Sequence, residues 1–420
     1  MRTFLLSSVA FAALLAAPAL AADALPVGTS NAAFIDQIGD RNTNTQSQTT
    51  TDASRGHRST NVQTGNDNTA KTVQKDGKSN RATVTQTGSG NIADQLSSGS
   101  ALDADAIQKG DANKAYQTQY GGIHNSKIDQ GGVGRNGTGN RNTATHIQSG
   151  TGNNATTVQD GNDNTAYATQ SGVNDRTWRS TIDQKQVGSG NVVSASQGGG
   201  TTNWADQVQT GDRNSVYSHQ FGSLNDLSSE QIGNDNHGWM GQSGSMNDAA
   251  LLQIGSGNLG VQYQAGSENY AYVSQLGDGS HGYQWQTGDK NEAVIDSKAG
   301  GNVAFQIQYG DHNDALITQR TAGNGAMQVQ AGYGNEADIE QKGGSGNGAY
   351  QFSYGDFNVM TTTQVGFGNY ASGEQHGDHN KAFVTQTGNS NVSNTMQLSS
   401  RNYTKVMQFG NGNNSSVTQK

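Results

Sequence analysis

Polar and apolar residues along this chain recur with a period of eleven, and glutamine marks the period best. From Gln209 the anchors run through Gln220, Gln231, Gln242, Gln253, Gln264, Gln275, Gln286, Ser297, Gln308, Gln319, Gln330 and Gln341. After one inserted residue they continue from Ser353 through Gln364, Gln375, Gln386, Gln397 and Gln408 to Gln419. Two residues past an anchor stands glycine, as at Gly211, Gly266, Gly288, Gly310 and Gly377. Five past it stands asparagine, as at Asn214, Asn269, Asn291, Asn313, Asn335 and Asn380, and seven past it alanine is frequent. The unit reads Q-x-G-x-x-N-x-A-x-x-x-Q.

Eleven residues are too few for a two-helix repeat, and a glycine in every unit would cost a helix about 1 kcal/mol each time. Glycine flanked by Asn, Asp and Ser is turn chemistry. The stretch from Asn to the next Gln has the length of an ordinary strand. Strand alternation puts Asn, Ala, the ninth position and Gln on one face. Small alanines between amides let facing strands approach, and equivalent amides one rung apart can bond in ladders. That face is therefore expected inside. The ninth position alternates strictly: Gln262, Val273, Gln284, Ile295, Gln306, Ile317, Gln328, Ile339. The rung is thus two strands, 22 residues long. The fold predicted is all-β: a cross-β type β-solenoid of stacked strand–turn–strand rungs with two facing parallel sheets. Some 16–18 rungs at about 4.8 Å give a stack about 80 Å tall.

The two strand types differ on their other face. Strands with Gln at position nine carry Val261/Tyr263, Tyr283/Trp285, Phe305/Ile307, Met327/Val329 and Tyr350/Phe352, whereas the alternate strands are far more polar. With Gln inward, one sheet presents an apolar stripe outward. An exposed apolar area of that size marks an interface. A lateral contact between solenoids is expected at Tyr263, Tyr283, Trp285, Phe305, Ile307, Val329, Tyr350 and Phe352.

The repeat is regular over 197–420 and irregular over 37–196, where 44–62, 96–107, 131–147 and 171–185 read as loops or loose rungs. Residues 22–36 read as a leader segment. Residues 1–21 read as a signal peptide: a positive Met1-Arg2, an apolar run from Phe4 to Leu15, and the small-x-small site Ala19-Leu20-Ala21. No later segment is apolar enough to span a bilayer. The mature chain is expected to be secreted.

Composition supports a hydrogen-bonded stack over a disordered linker. With 31% hydrophobic residues and 58 glycines, the chain lacks a large aliphatic core. Its two prolines, Pro18 and Pro26, precede every repeat, and proline is excluded from central strands. A net charge of −9 offers no basic stripe for nucleic acid. Without cysteine there is neither a disulfide framework nor a thiolate metal site. The histidines lack ligand spacing; His312 and His379 occupy equivalent Gly-Asp-His-Asn turns. No nucleophile–base or paired-carboxylate arrangement stands out, so neither enzyme activity nor a cofactor or metal is expected.

The unit resembles the curlin repeat of curli fibre subunits from Gram-negative bacteria. The segments Gln264-Ala265-Gly266-Ser267-Glu268-Asn269-Tyr270-Ala271, ending at Gln275, and Gln375-His376-Gly377-Asp378-His379-Asn380-Lys381-Ala382, ending at Gln386, both match it. The resemblance implies a self-assembling amyloid subunit at the cell surface, with a nucleator subunit and an outer-membrane secretion pore as partners. It implies adhesion and biofilm matrix as roles. This chain has several times more repeats than a typical curlin. The alternative is a monomeric secreted β-solenoid adhesin or ice- or ligand-binding protein. Such a protein should carry atypical capping repeats, whereas the unit from Gln408 to Gln419 is nearly regular, which favours the fibre.

Overall fold

The computed structural model describes residues 31–51, 55–131, 139–173 and 179–420. The signal peptide read at 1–21 lies outside the described residues. Strands alternate between two 17-stranded parallel sheets. The first sheet starts at Ala32–Ile38 and ends at Tyr403–Phe409; the second starts at Thr43–Thr49 and ends at Asn414–Gln419. Each strand pairs with the strand two later in the chain, in register, so that Gln264 lies beside Gln286 and Gln286 beside Gln308. The 22-residue β-solenoid with two facing sheets is therefore the observed fold. Its first strand, Ala32–Ile38, begins within the segment 22–36 read as a leader.

The strands form because every second residue has a place to go. Asn, Ala, position nine and Gln are buried in rung after rung. Leu251, Val273, Ile295, Ile317 and Ile339 stack as one apolar column on the first sheet. Facing them on the second sheet are the buried amides of Gln262, Gln284, Gln306, Gln328 and Gln351. The interior is thus half aliphatic and half amide.

The expected loops need correction. Residues 96–107 are mostly strand, belonging to Ile92–Ser100 and Asp103–Lys109. They escape a glutamine search because Ser97 replaces the anchor. Residues 44–62 likewise hold most of Thr43–Thr49 and Arg58–Thr64. Equivalent glutamines there are 26 residues apart rather than 22, and further along they are 29 and 27 apart. The surplus lies between strands, and the strands on either side keep their register. A longer connection costs little closure entropy per added residue.

Candidate functional site: the amide ladders and the two outer faces

Most anchor glutamines make two kinds of bond. The amide donates along the stack to the next rung's glutamine and across the interior to a backbone carbonyl, usually sixteen residues back. Gln264 donates to Gln286 Oε1 at 3.0 Å and to the Asp248 carbonyl at 2.9 Å; Gln286 donates to Gln308 Oε1 and the Tyr270 carbonyl, both at 2.9 Å. The same donation joins Gln209 to Gln231, Gln231 to Gln253 and Gln253 to Gln275, each at 2.8 Å. On the other sheet it joins Gln220 to Gln242 and Gln308 to Gln330, each at 2.9 Å, and Gln242 to Gln264 at 3.0 Å. Gln319 donates to Gln341 at 3.0 Å. Every one of these donors points toward the C-terminal end. Where Ser297 and Ser353 replace glutamine, their hydroxyls donate in the same direction, to Gln319 and Gln375.

The asparagine ladder runs the other way. Asn269 donates from Nδ2 to Asn247 Oδ1 at 3.0 Å, Asn291 to Asn269 and Asn313 to Asn291 at 3.1 Å, and Asn335 to Asn313 at 3.0 Å. Asn236 donates to Asn214 Oδ1 at 3.1 Å. Asn380 keeps only its backbone bond to Asn358 Oδ1, at 2.9 Å, and turns its amide to the His376 carbonyl. Most of these asparagines also donate to the carbonyl of a turn glycine in the same corner of the next rung, as Asn291 does to Gly310 at 2.7 Å. Buried amides this fully satisfied rigidify a core; left half-paired they would cost it.

The turn glycines all have left-handed backbones: φ is 111° at Gly211, 123° at Gly266, 120° at Gly288, 99° at Gly310 and 88° at Gly377. At Gly288 a Cβ would also strike the Gly310 carbonyl of the next turn. Gly288→Ala is expected to destabilise its rung by about 2–3 kcal/mol. Amide hydrogen exchange at Thr287 and Gly310 measures this, and unchanged protection at both would contradict it.

Outside, the two sheets differ. The second sheet carries the predicted stripe, with Tyr263, Tyr283, Trp285, Phe305, Ile307, Val329, Tyr350 and Phe352 all on its outer face; Trp285 is 46% exposed. Its rings stack along the axis. Tyr263 and Trp285 are 4.5 Å apart between centroids, and Tyr283 lies 4.5 Å from Phe305 and within 3° of parallel. The first sheet is acidic outside, with Glu292, Asp314, Glu336 and Asp338 close together on neighbouring strands.

The Asp314 carboxyl is pushed up to about 6, first by partial burial and then by Glu292, Glu336 and Asp338. Its folded value lies above the ordinary 3.8, so the stability this group contributes is fully present at low pH. That stability is lost as the pH rises through about 6. Carboxyl NMR should show an Asp314 midpoint near 6 that falls in Glu336→Gln; an ordinary midpoint would overturn the assignment.

Sequence reading missed an internal relay. His146, on the strand Thr143–Thr151, is fully buried at position nine of its repeat unit. Its Nδ1 lies 2.8 Å from Ser126 Oγ and its Nε2 lies 2.8 Å from Thr157 Oγ1. Gln117 donates to Ser126 at 2.9 Å, and Thr157 donates to Gln184 at 3.0 Å. The only consistent assignment has Ser126 donating to Nδ1 and Nε2–H donating to Thr157. Three unlike side chains thereby pass the amide direction through an irregular part of the stack. The signal was the phase alone: His146 stands two residues before Gln148, where Gln95 and Gln117 stand in neighbouring rungs.

Three stretches, 139–172, 310–343 and 355–388, match the family described as the curlin associated repeat. Each spans three strands of the solenoid. The chain thus carries curlin associated repeats in both halves. One of the curlin repeats it matches lies in the irregular first half, where the stack is nonetheless continuous in register from Thr143–Thr151 to Thr165–Val173. No curated protein matches the chain.

Proposed function

We propose that this curlin-repeat protein is the structural subunit of an extracellular, curli-type amyloid fibre that grows by stacking rung on rung and serves surface adhesion and biofilm matrix. A nucleator subunit and an outer-membrane secretion pore are its proposed partners, and its role is structural rather than catalytic. The observation that carries this is the directional amide ladder. Rung after rung offers glutamine donors with asparagine acceptors on one side and the complement on the other, so a joint between two molecules needs no contact that is not already made within one.

The two end rungs stand in the right phase. Gln408 donates to the Val392 carbonyl and Ser415, and Gln419 to the Tyr403 carbonyl; neither has a further glutamine to bond among the described residues. Gln37 and Gln48 donate to Gln63 and Gln74 and receive no bond from another glutamine among the described residues. Setting Gln37 of a second copy beside Gln408 also sets Gln48 beside Gln419, since 48 − 37 and 419 − 408 are both 11. The same register lays Ile35, an inward position left 48% exposed, on the apolar column that ends at Val406.

Incubation of the purified mature chain tests the reading. Fibre diffraction near 4.7 and 10 Å, with a lag abolished by seeds, is the expected result. A chain that stays monomeric at high concentration for weeks would overturn it in favour of a monomeric binder.

A further inference from the structure

We infer that the aromatic face of the second sheet pairs with the same face of a second copy, and that this pairing sets in only after subunits have stacked into fibres. The inference rests on the fibre reading above and adds to it the lateral partner and the order of events.

Charge selects the partner. From His237–Ser245 to Gly348–Tyr354 the outer face of the second sheet carries no Asp, Glu, Lys or Arg. On the first sheet, the strands from Asp226–Asn234 to Glu336–Lys342 carry nine outward carboxylates, among them Asp226, Asp248, Asp314 and Glu336. Two copies meeting through first sheets would oppose like charges and strip water from them. Two copies meeting through second sheets bury rings against rings.

The face is also preorganised. Trp239, Tyr263 and Trp285 follow one another along the axis, with centroids 6.4 and then 4.5 Å apart, and Tyr283 stacks on Phe305 beside them. Rings already ordered by their neighbours lose little side-chain freedom on docking. Next to them the missing side chain of Gly325 leaves an apolar notch of about 150 Å³, lined by Val303, Phe305, Met327 and Tyr350. It can receive a protruding side chain of the facing copy.

Area sets the order of events. Six rungs at about 4.8 Å and five residues at about 3.3 Å make a footprint of roughly 450 Å². A stable specific interface takes about 800 Å² from each partner, so two free subunits hold each other poorly. Along a fibre the same footprint recurs in every subunit, and the contacts reinforce one another by multivalency.

The test compares the mature wild-type chain with Tyr283→Ser/Trp285→Ser and with the ring-preserving Tyr283→Phe/Trp285→Phe. Thioflavin fluorescence and fibre diffraction follow stacking. Electron microscopy counts paired against single fibres, and analytical ultracentrifugation follows the unassembled chain. The expected result is a monomeric soluble chain, cross-β fibres from all three proteins, and at least a tenfold drop in paired fibres for the serine variant alone. Three results would overturn the inference while leaving the fibre reading standing. They are a serine variant that bundles like wild type, dimers that precede fibres, and wild-type fibres that stay single and instead sediment with an insoluble β-glucan in a Trp285-dependent way. Absence of fibres from the wild-type chain would remove the fibre reading itself.

Discussion

Gln306→Ala is expected to destabilise its rung by about 4 kcal/mol, more than an ordinary large-to-small core change of the same volume. The Gln306 amide nitrogen lies 2.9 Å from the Val294 carbonyl, 2.8 Å from the Ala315 carbonyl and 2.9 Å from Gln328 Oε1. Its oxygen accepts from Gln284 at 2.9 Å. Truncation removes this partner from a buried donor and buried acceptors on four neighbouring strands, and opens a cavity as well. Because a stacked solenoid loses stability locally, the measurement is native-state hydrogen exchange. The amides of Val303–Tyr309 and Glu292–Ser297 should lose protection together while those of Arg58–Thr64 keep theirs. A loss under 1 kcal/mol, confined to one strand, would show that the cross-sheet bonds contribute little.

Acid is expected to open the first half of the stack at His146. Burial holds this imidazole down at about 3, against an ordinary value of 6.5. A depressed histidine binds its proton in the unfolded chain before it does so in the folded one. Its contribution is therefore present above pH 6.5 and is lost as the pH falls from there towards 3, at about 1.4 kcal/mol per pH unit. The geometry adds to this penalty: a proton on Nδ1 would face the Ser126 hydroxyl hydrogen and make that hydroxyl turn away. Hydrogen exchange within Thr143–Thr151, corrected for intrinsic rates, should accelerate steeply between pH 6 and 4. In His146→Gln, which restores the residue type of Gln95 and Gln117, that dependence should vanish. Equal slopes in the two proteins would remove His146 as the cause. Asp314 acts in the opposite sense over a similar range, so the regular second half should be the more acid-tolerant part of the molecule.

The eleven-residue unit, its pairing into 22-residue rungs, the inward face and the outward stripe were all legible in one dimension. The reason is physical. In a parallel in-register stack each side chain meets its own equivalents from the adjacent rungs, so a column in space is a period in the chain. Gln262, Gln284 and Gln306 are neighbours because they are 22 apart. Legibility failed where the period did. Ser97 and the lengthened spacing after Gln48 hid strands, because hydrogen-bonded register tolerates a substituted anchor or a longer connection that a glutamine search does not. The direction of the ladders, the bonds that reach sixteen residues back across the core, the His146 relay and the raised Asp314 carboxyl were decided only by tertiary structure. Each depends on how one sheet faces the other or how neighbouring rungs pack, and no spacing along the chain records the orientation of an amide or the closeness of two charges.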